Sequence, residues 1–510
     1  MIKLENAVAR SASLGYRLSC DCWQDGHYTF YRNAVPFSFY TGHVYADQLA
    51  QFFVAYAEQY PKDAYFVYEL GAGTGMLSKH FLDRLRVRSA DLYGKTTVFI
   101  SDSSGDLIRD LEASQFFKGH EGRYQIAVMD ALAPQFSEPA DVTFFSNLID
   151  STPAHHFEVV GDDIFELFVE THIEDDAVIM DGAVYPPVSY VGEEILPLLA
   201  TEDTGQQFAV RTQLGSLIRE DYSRIGLTAS GLSEARIQRV REIVKANNLG
   251  DGAFFNVHFE AMEALQSILD QSTDSAAVVM SDFGFFTKNV GDSASDLTKR
   301  YTNHLFTSVY FDLFRLSELS FSTRGLEKQS ETLILFKGDD AKPIQACCDG
   351  IFESPQQTIQ MIDSIAELNG TEDLQAFQDI LKQLPKLCQL NISFMAHCLS
   401  YHLSSGHVDL VRLLSKHFIE LYQDLSLMGY YFQGVCALMT QDNELARDSF
   451  LKTLAISDGQ FHHSYIHLAQ LAEATGQTED VVYYYKQLLK FGGVNDKKMA
   501  LEQLRTRISV

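Results

Sequence analysis

The chain has 510 residues, 46% of them hydrophobic, with a formal net charge of −28 and a pI near 4.9. That length exceeds what one compact core holds, so two or three domains are expected. The acidity argues against nucleic acid and an anionic membrane as partners, since both demand clustered Lys and Arg; it suits a basic protein segment, or simply a soluble surface.

Residues 1–42 read as an N-terminal segment or lid, with aromatics Tyr28, Phe30, Tyr31, Phe37, Phe39 and Tyr40 that suit either an apolar pocket or ordinary core. His43 to Tyr60 carries apolar residues at helical spacing (Tyr45, Leu49, Phe52, Phe53, Tyr56), and Pro61 ends it. Ala64–Leu70 reads as a buried strand closed by Gly71, Met76–Leu85 as a helix and Thr96–Ile100 as a second strand. Leu107–Phe117 follows as a helix and Tyr124–Met129, Val142–Phe145 and Ala276–Met280 as further strands. Alternating strands and helices imply an α/β, Rossmann-like, doubly wound parallel sheet over residues 43–340. Glu318–Phe321 and Thr332–Phe336, joined by a short polar link with a glycine, predict an antiparallel hairpin at the sheet edge.

Between the fourth and fifth strands lie roughly 130 residues, with a stretch read as helical from about Glu193 to Asn248. A loop that long needs structure of its own, so a mainly helical insertion over about 160–270 is expected as a cap. From 345 to 510 the pattern is all helical. Gly406 and Gly476 each close a helix, and Tyr430, Gly434, Ala446 and Phe450 recur about 35 residues later as Tyr465, Ala469, Val481 and Tyr485. Period and order resemble tetratricopeptide repeats; an ordinary helical bundle is the alternative. Seven cysteines make no disulfide framework. Neither Cys20/Cys22 nor Cys347/Cys348 has the two-residue gap of a zinc knuckle or redox motif, so no metal site and a reduced, cytoplasmic protein are expected. No N-terminal apolar stretch suits a signal peptide, and no apolar run suits a membrane span.

The sharpest motif is Glu69-Leu70-Gly71-Ala72-Gly73-Thr74-Gly75, at the end of the first strand and the start of a helix. Glycines let the backbone turn tightly and approach a ligand. The spacing is G-x-G-x-G rather than G-x-G-x-x-G, and no Gly-Lys-Ser/Thr follows, which argues against a nucleotide phosphate. The motif resembles the first motif of S-adenosylmethionine enzymes, in which Glu69 would orient the methionine amino end and Gly71, Ala72, Gly73 and Gly75 would line the cofactor. Asp102, with Ser103, ends the second strand where such folds bind ribose hydroxyls, unless it is a solvated turn residue. Asp130, with Ala131, follows the third strand at the adenine position, and is equally readable as a helix N-cap.

Six elements in order resemble the MidA-like methyltransferases, a family that includes a mitochondrial complex I assembly factor that dimethylates an arginine. They are Phe39-Tyr40-Thr41, Glu69 to Gly75, Asp102-Ser103-Ser104-Gly105-Asp106-Leu107, Asn147-Leu148-Ile149-Asp150-Ser151-Thr152-Pro153 with His155-His156-Phe157, Ser281-Asp282-Phe283-Gly284 and Tyr310-Phe311-Asp312. The resemblance implies S-adenosyl-L-methionine as cofactor, contacts from Asn147, and Asp150, Asn147 and His155 as candidate catalytic residues. The family's Glu after Asn is Leu148 here, which puts arginine specificity in doubt, because carboxylates pair bidentately with a guanidinium. Asp150 is otherwise an N-cap or turn residue. Adjacent His155 and His156 on an extended segment face opposite ways, so at most one serves the cleft as a base. The expected activity is methyl transfer to a protein side chain, with the helical repeats recruiting substrate or a partner protein. A small-molecule methyltransferase and a non-catalytic scaffold are the alternatives.

Overall fold

The computed structural model describes residues 1–24, 42–113, 116–175, 177–181, 188–191, 194–195, 197, 214–215, 217–285, 293–301, 304–314, 320–326, 330–337, 351, 367–383, 392–422, 427–457, 459, 461–492 and 494–508. Its contacts divide the chain into two units. One comprises Met1–Gly26, Ala46–Ala177 and Leu214–Glu353; the other comprises His27–Tyr45, Val178–Gln213 and Ser354–Val510. Among the described residues no helix is long and apolar enough to cross a membrane.

In the first unit, strand β1 (Ile2–Ala9) opens the chain, and β2 (Tyr65–Leu70), β3 (Thr96–Asp102), β4 (Tyr124–Val128) and β5 (Ala140–Ser146) follow. Strands β2 to β5 pair in parallel, with Val67 opposite Val98 on one side and Val142 on the other. A central parallel strand is covered on both faces, which is why Val67, Tyr68 and Leu70 form a near-continuous apolar run and are all buried. On one face the helix His43–Gln59 brings Phe53 against Phe81 of the helix Met76–Arg88, and Phe81 meets Phe144 of β5. On the other, Tyr68 stacks between Phe99 and Phe136. Each such aromatic, fully removed from water, contributes about 1.5–3 kcal/mol.

The chain then leaves this sheet through β6 (His155–Val160), β7 (Asp163–Ile173), β8 (Val178–Asp181), β9 (Val188–Val191), β10 (Ile218–Gly226) and β11 (Phe254–Val257), and returns in β12 (Ser272–Phe285), which runs parallel to β5. Two short strands, β13 (Thr298–Tyr301) and β14 (His304–Thr307), form a hairpin. β15 (Val309–Tyr310) pairs in parallel with the end of β12, and β16 (Ser320–Leu326) and β17 (Ser330–Phe336) end the sheet. The order is β16-β17-β12-β5-β2-β3-β4, with β17 antiparallel to both neighbours. The expected α/β sheet and closing hairpin are present, but the later strand of the hairpin lies inside and the earlier one at the edge. Gly325, expected in the link, is part of β16.

The expected mainly helical insertion is corrected by the structure. A second, antiparallel sheet is built there, in the order β1-β7-β6-β11, with β10 along the other edge of β7. Among the described residues of the insertion in this unit, the long helices are Glu234–Ala246 and Phe259–Asp270. Residues 2–9 of the segment expected as a lid pair with β7 as a strand. The physical reason is period. In β10 the charged Arg219 and Asp221 alternate with the less exposed Glu220 and Tyr222, so one face is wet. Such a strand carries no apolar run to mark it.

The second unit contains the β8–β9 hairpin and a series of helices: Leu374–Gln383, Ile392–Ser404, Val408–Tyr422, Met428–Met439, Asn443–Ile456, His462–Ala474, Thr478–Phe491 and Val494–Ile508. Gly406 and Gly476 end helices with φ of +77° and +72°, as their placement in the sequence implied. Midway between them Gln441 adopts φ +61°, an unmarked third cap. The amides that follow bond alike: His407 to the His402 carbonyl, Asp442 to Ala437 and Gln477 to Ala472. Gly434 has no room for a Cβ, which would lie 2.8 Å from the Phe450 ring. The small residue and the aromatic seen in the sequence therefore meet across one helix pair.

Candidate functional site

β2 delivers Glu69 and Leu70 to its carboxyl end, and the chain turns through Gly71, Gly73 and Gly75 at φ +66°, +55° and +69°. Other residues lose about 1–2 kcal/mol in this region, so glycine is required three times. A Cβ on Gly71 would stand 2.8 Å from the Leu148 side chain, and one on Gly75 would press on Leu111 and Phe117. Gly75 caps the helix Met76–Arg88 without any side-chain cap, leaving that helix's first amides directed at the loop.

Two buried carboxyl groups frame the loop. Glu69 accepts a hydrogen bond from the Ser78 hydroxyl; burial, with the nearby Asp102, pushes its pKa up to about 8. Asp102, at the end of β3, accepts the Gly73 amide at 3.0 Å and the Ser104 amide at 2.9 Å, tying the second strand to the glycine turn. Burial raises its pKa as well. Each carboxylate oxygen accepts more than one bond, so Asp102 retains capacity for ligand hydroxyls. Ser103 beside it is exposed, while Ala72 is buried with its amide on the Ser101 carbonyl. Asp130 is exposed and accepts the amide of Leu132 at 2.9 Å in a turn, with no helix following for it to cap; Ala131 packs on the core.

At the end of β5 the chain turns at Asn147, φ +53°, whose amide bonds the Ser281 carbonyl of β12. Leu148 then lies over Gly71, and Ile149–Ser151 form one turn of 3-10 helix. Asp150 is buried against Asp282, which accepts the amides of Ile149 and Asp150 at 2.7 and 3.2 Å. Burial and the neighbouring Asp282 charge hold the Asp150 pKa well above the usual carboxylate range. Two carboxyls this close share a proton. Asp282 stood in a motif but was not singled out; sequence spacing does not show that β12 ends beside this turn.

His155 and His156 face opposite ways, as an extended segment requires. His155 Nδ1 lies 2.6 Å from Glu166 Oε1, and its Nε2 lies 3.3 Å from the Ser11 hydroxyl. His156 is fully buried on the other face near Tyr222, and burial holds its pKa well down. Glu166 and Ser11 were missed, because their closeness to His155 depends on how β7 and the N-terminal segment dock.

The residues around the glycine turn fit the donor that the motif implies: a loop with no Cβ in its path, a buried acid for the amino group and a second acid for the ribose. A search of curated proteins finds no match. Among solved structures, an uncharacterised protein from Burkholderia thailandensis is 13% identical, with a TM-score of 0.43, over 67% of this chain and 90% of its own. A member of the same superfamily from that organism, bound to S-adenosyl-homocysteine, is 13% identical with a TM-score of 0.39, over 65% of this chain and 93% of its own. The model of a family of S-adenosyl-L-methionine-dependent methyltransferases matches residues 46–323, more than half of the chain. The chain therefore belongs to the S-adenosyl-L-methionine-dependent methyltransferases.

Proposed function

We propose that this methyltransferase, of MidA-like type, acts on a nucleophilic side chain of a protein, arginine or another, and that its C-terminal helix pairs recruit that substrate or a partner. The observation that carries the cofactor half is the triple left-handed glycine turn between Glu69 and Asp102. The six motif elements support the subtype. The left-handed caps at Gly406, Gln441 and Gly476, equally spaced, support a tetratricopeptide-like array, whose concave faces bind protein segments.

The bound cofactor supplies a methyl group already activated on a sulfonium. The chain's own work is then to align the acceptor and to exclude water. Asn147 sets the turn that carries Leu148 over Gly71, giving the loop an apolar wall. That wall favours a second reading, a small apolar acceptor in place of a protein.

Calorimetry with S-adenosylmethionine and S-adenosyl-homocysteine tests the site. Micromolar binding, about −8 kcal/mol, is expected. Gly73→Asp, which puts a carboxylate beside Asp102, should weaken it at least 100-fold. Normal binding by that variant would place the site elsewhere. Transfer of labelled methyl groups to metabolites but to no protein would select the small-molecule reading.

A further inference from the structure

The chain enters the inserted sheet directly from the turn that overhangs the glycine loop. Ligands of open α/β sheets bind in the crevice beyond the carboxyl ends of the strands. β5 ends there at Ser146, Leu148 packs over Gly71, and His155 opens β6 shortly afterwards. Three histidines gather in this region, and two of them are held neutral. Burial keeps His156 well below its ordinary pKa and lowers His258 to about 4, with His258 Nδ1 on the Thr152 hydroxyl. His155 differs. Its Nδ1 meets a buried carboxylate at the short distance of a charge-assisted bond, 2.6 Å to Glu166 Oε1. The carboxylate accepts, so the ring proton sits on Nδ1 and Nε2 presents a lone pair. Facing that lone pair, at 3.3 Å, is a hydroxyl, Ser11 Oγ, which is half-buried.

We infer that Glu166, His155 and Ser11 form the proton-accepting chain of the acceptor site, and that the acceptor is a neutral hydroxyl or amine group bearing a proton. The inference rests on the methyl-transfer reading above. Glu166 is a positioning residue: it fixes the ring's tautomer and orientation. His155 is the base, and Ser11 marks with its own hydroxyl the place a protic group takes at Nε2. In the step, the acceptor oxygen or nitrogen forms a bond to the methyl carbon as the carbon–sulfur bond breaks. The bonding pair stays on sulfur, leaving a neutral thioether. The acceptor's proton passes to His155 Nε2, directly or through Ser11. Acceptors that carry no proton to lose, such as a carboxylate or a thioether, gain nothing from this arrangement. The groups around the ring are Glu166 from β7, Ser11 from the N-terminal turn, His258 and Phe259 at the start of the helix Phe259–Asp270, and the neighbouring His156 with Arg10 beyond it.

The test needs no known substrate at first. The full chain, labelled with 15N-histidine, is titrated by NMR, and His155 is assigned by its loss in His155→Asn. The neutral ring should be the Nδ1–H tautomer in the unaltered chain, and Glu166→Leu, which removes the Nδ1 acceptor, should shift it toward Nε2–H. An Nε2–H tautomer in the unaltered chain, or a tautomer unmoved by Glu166→Leu, overturns the proposal. Next, initial rates are measured with tritiated methyl donor and whole-cell extract as acceptor source. His155→Asn should lower the rate about 100-fold, with affinity for S-adenosyl-homocysteine unchanged within twofold. Glu166→Leu should lower the rate as well, and Glu166→Gln, whose amide oxygen still accepts from Nδ1, should recover most of it. A His155→Asn enzyme at near-normal rate overturns the base. Failure of the unaltered chain to bind S-adenosyl-homocysteine overturns the methyl-transfer reading instead.

Discussion

The two sheets of the first unit contrast in how they are made. The parallel sheet is assembled from apolar strands covered on both faces, punctuated by Gly71 and by acids at the strand ends, Glu69 and Asp102. The antiparallel sheet joins residues far apart in the chain, Ile2 to Ile173 and Ile218 to the same residue. It buries polar groups as well: the Arg10 side chain is 0% exposed and paired with Glu220 at 6%. The first sheet is held mainly by non-directional burial, the second by specific polar partners that must all be in place. The glycine turn comes from the first sheet, whereas His155 and Glu166 come from the second.

That contrast can be broken by experiment. Arg10→Met removes the guanidinium that binds Glu220, the Ser13 hydroxyl and the Leu305 carbonyl, leaving a buried carboxylate unpaired. A loss of about 3–5 kcal/mol in denaturant unfolding is expected, and a loss under 1 kcal/mol would mean that the second sheet does not depend on its polar layer. A smaller effect tests the first sheet. Glu69 holds its proton up to about pH 8 in the folded chain but ionises near 4.5 when unfolded, so its burial costs stability that grows as pH rises between those values. The cofactor's ammonium group favours the ionised form. Binding should therefore strengthen from about pH 6 to pH 7.5, by at most about tenfold per unit, with proton release visible by calorimetry in buffers of different ionisation heat. Glu69→Gln should flatten that dependence and weaken binding, while raising the unfolding temperature at pH 8.

The smallest effect belongs to the helical unit. Gln441→Gly relieves a left-handed residue that sits where Gly406 and Gly476 sit in their turns. A gain of about 1 kcal/mol is expected in thermal unfolding. A loss would show that the Gln441 side chain contributes something the equivalent glycines do not.

Legibility followed the same division. Tyr65–Leu70, Thr96–Asp102 and Ser330–Phe336 stand close to where their apolar runs placed them, and the glycine turn was read in full. β7 and β10 were not read as strands, because Glu166, Thr171, Arg219 and Asp221 break any apolar run, and nothing local reveals that Arg224 will meet Glu158 across the sheet. Asp150 and His155 were singled out, but their partners Asp282, Glu166 and Ser11 were not. The aromatic-rich stretch from Tyr28 to Tyr40 lies outside the described residues.

By itself the sequence determined the parallel sheet, the glycine turn with its two acids, and the helical periodicity of the C-terminal region, all features written in short-range spacing. Only the tertiary structure decided what faces the carboxyl end of β5. Asp282 meets the Asp150 turn, and Ser11 meets His155, across more than a hundred positions, and such closeness is set by how sheets dock, not by the local pattern around either residue.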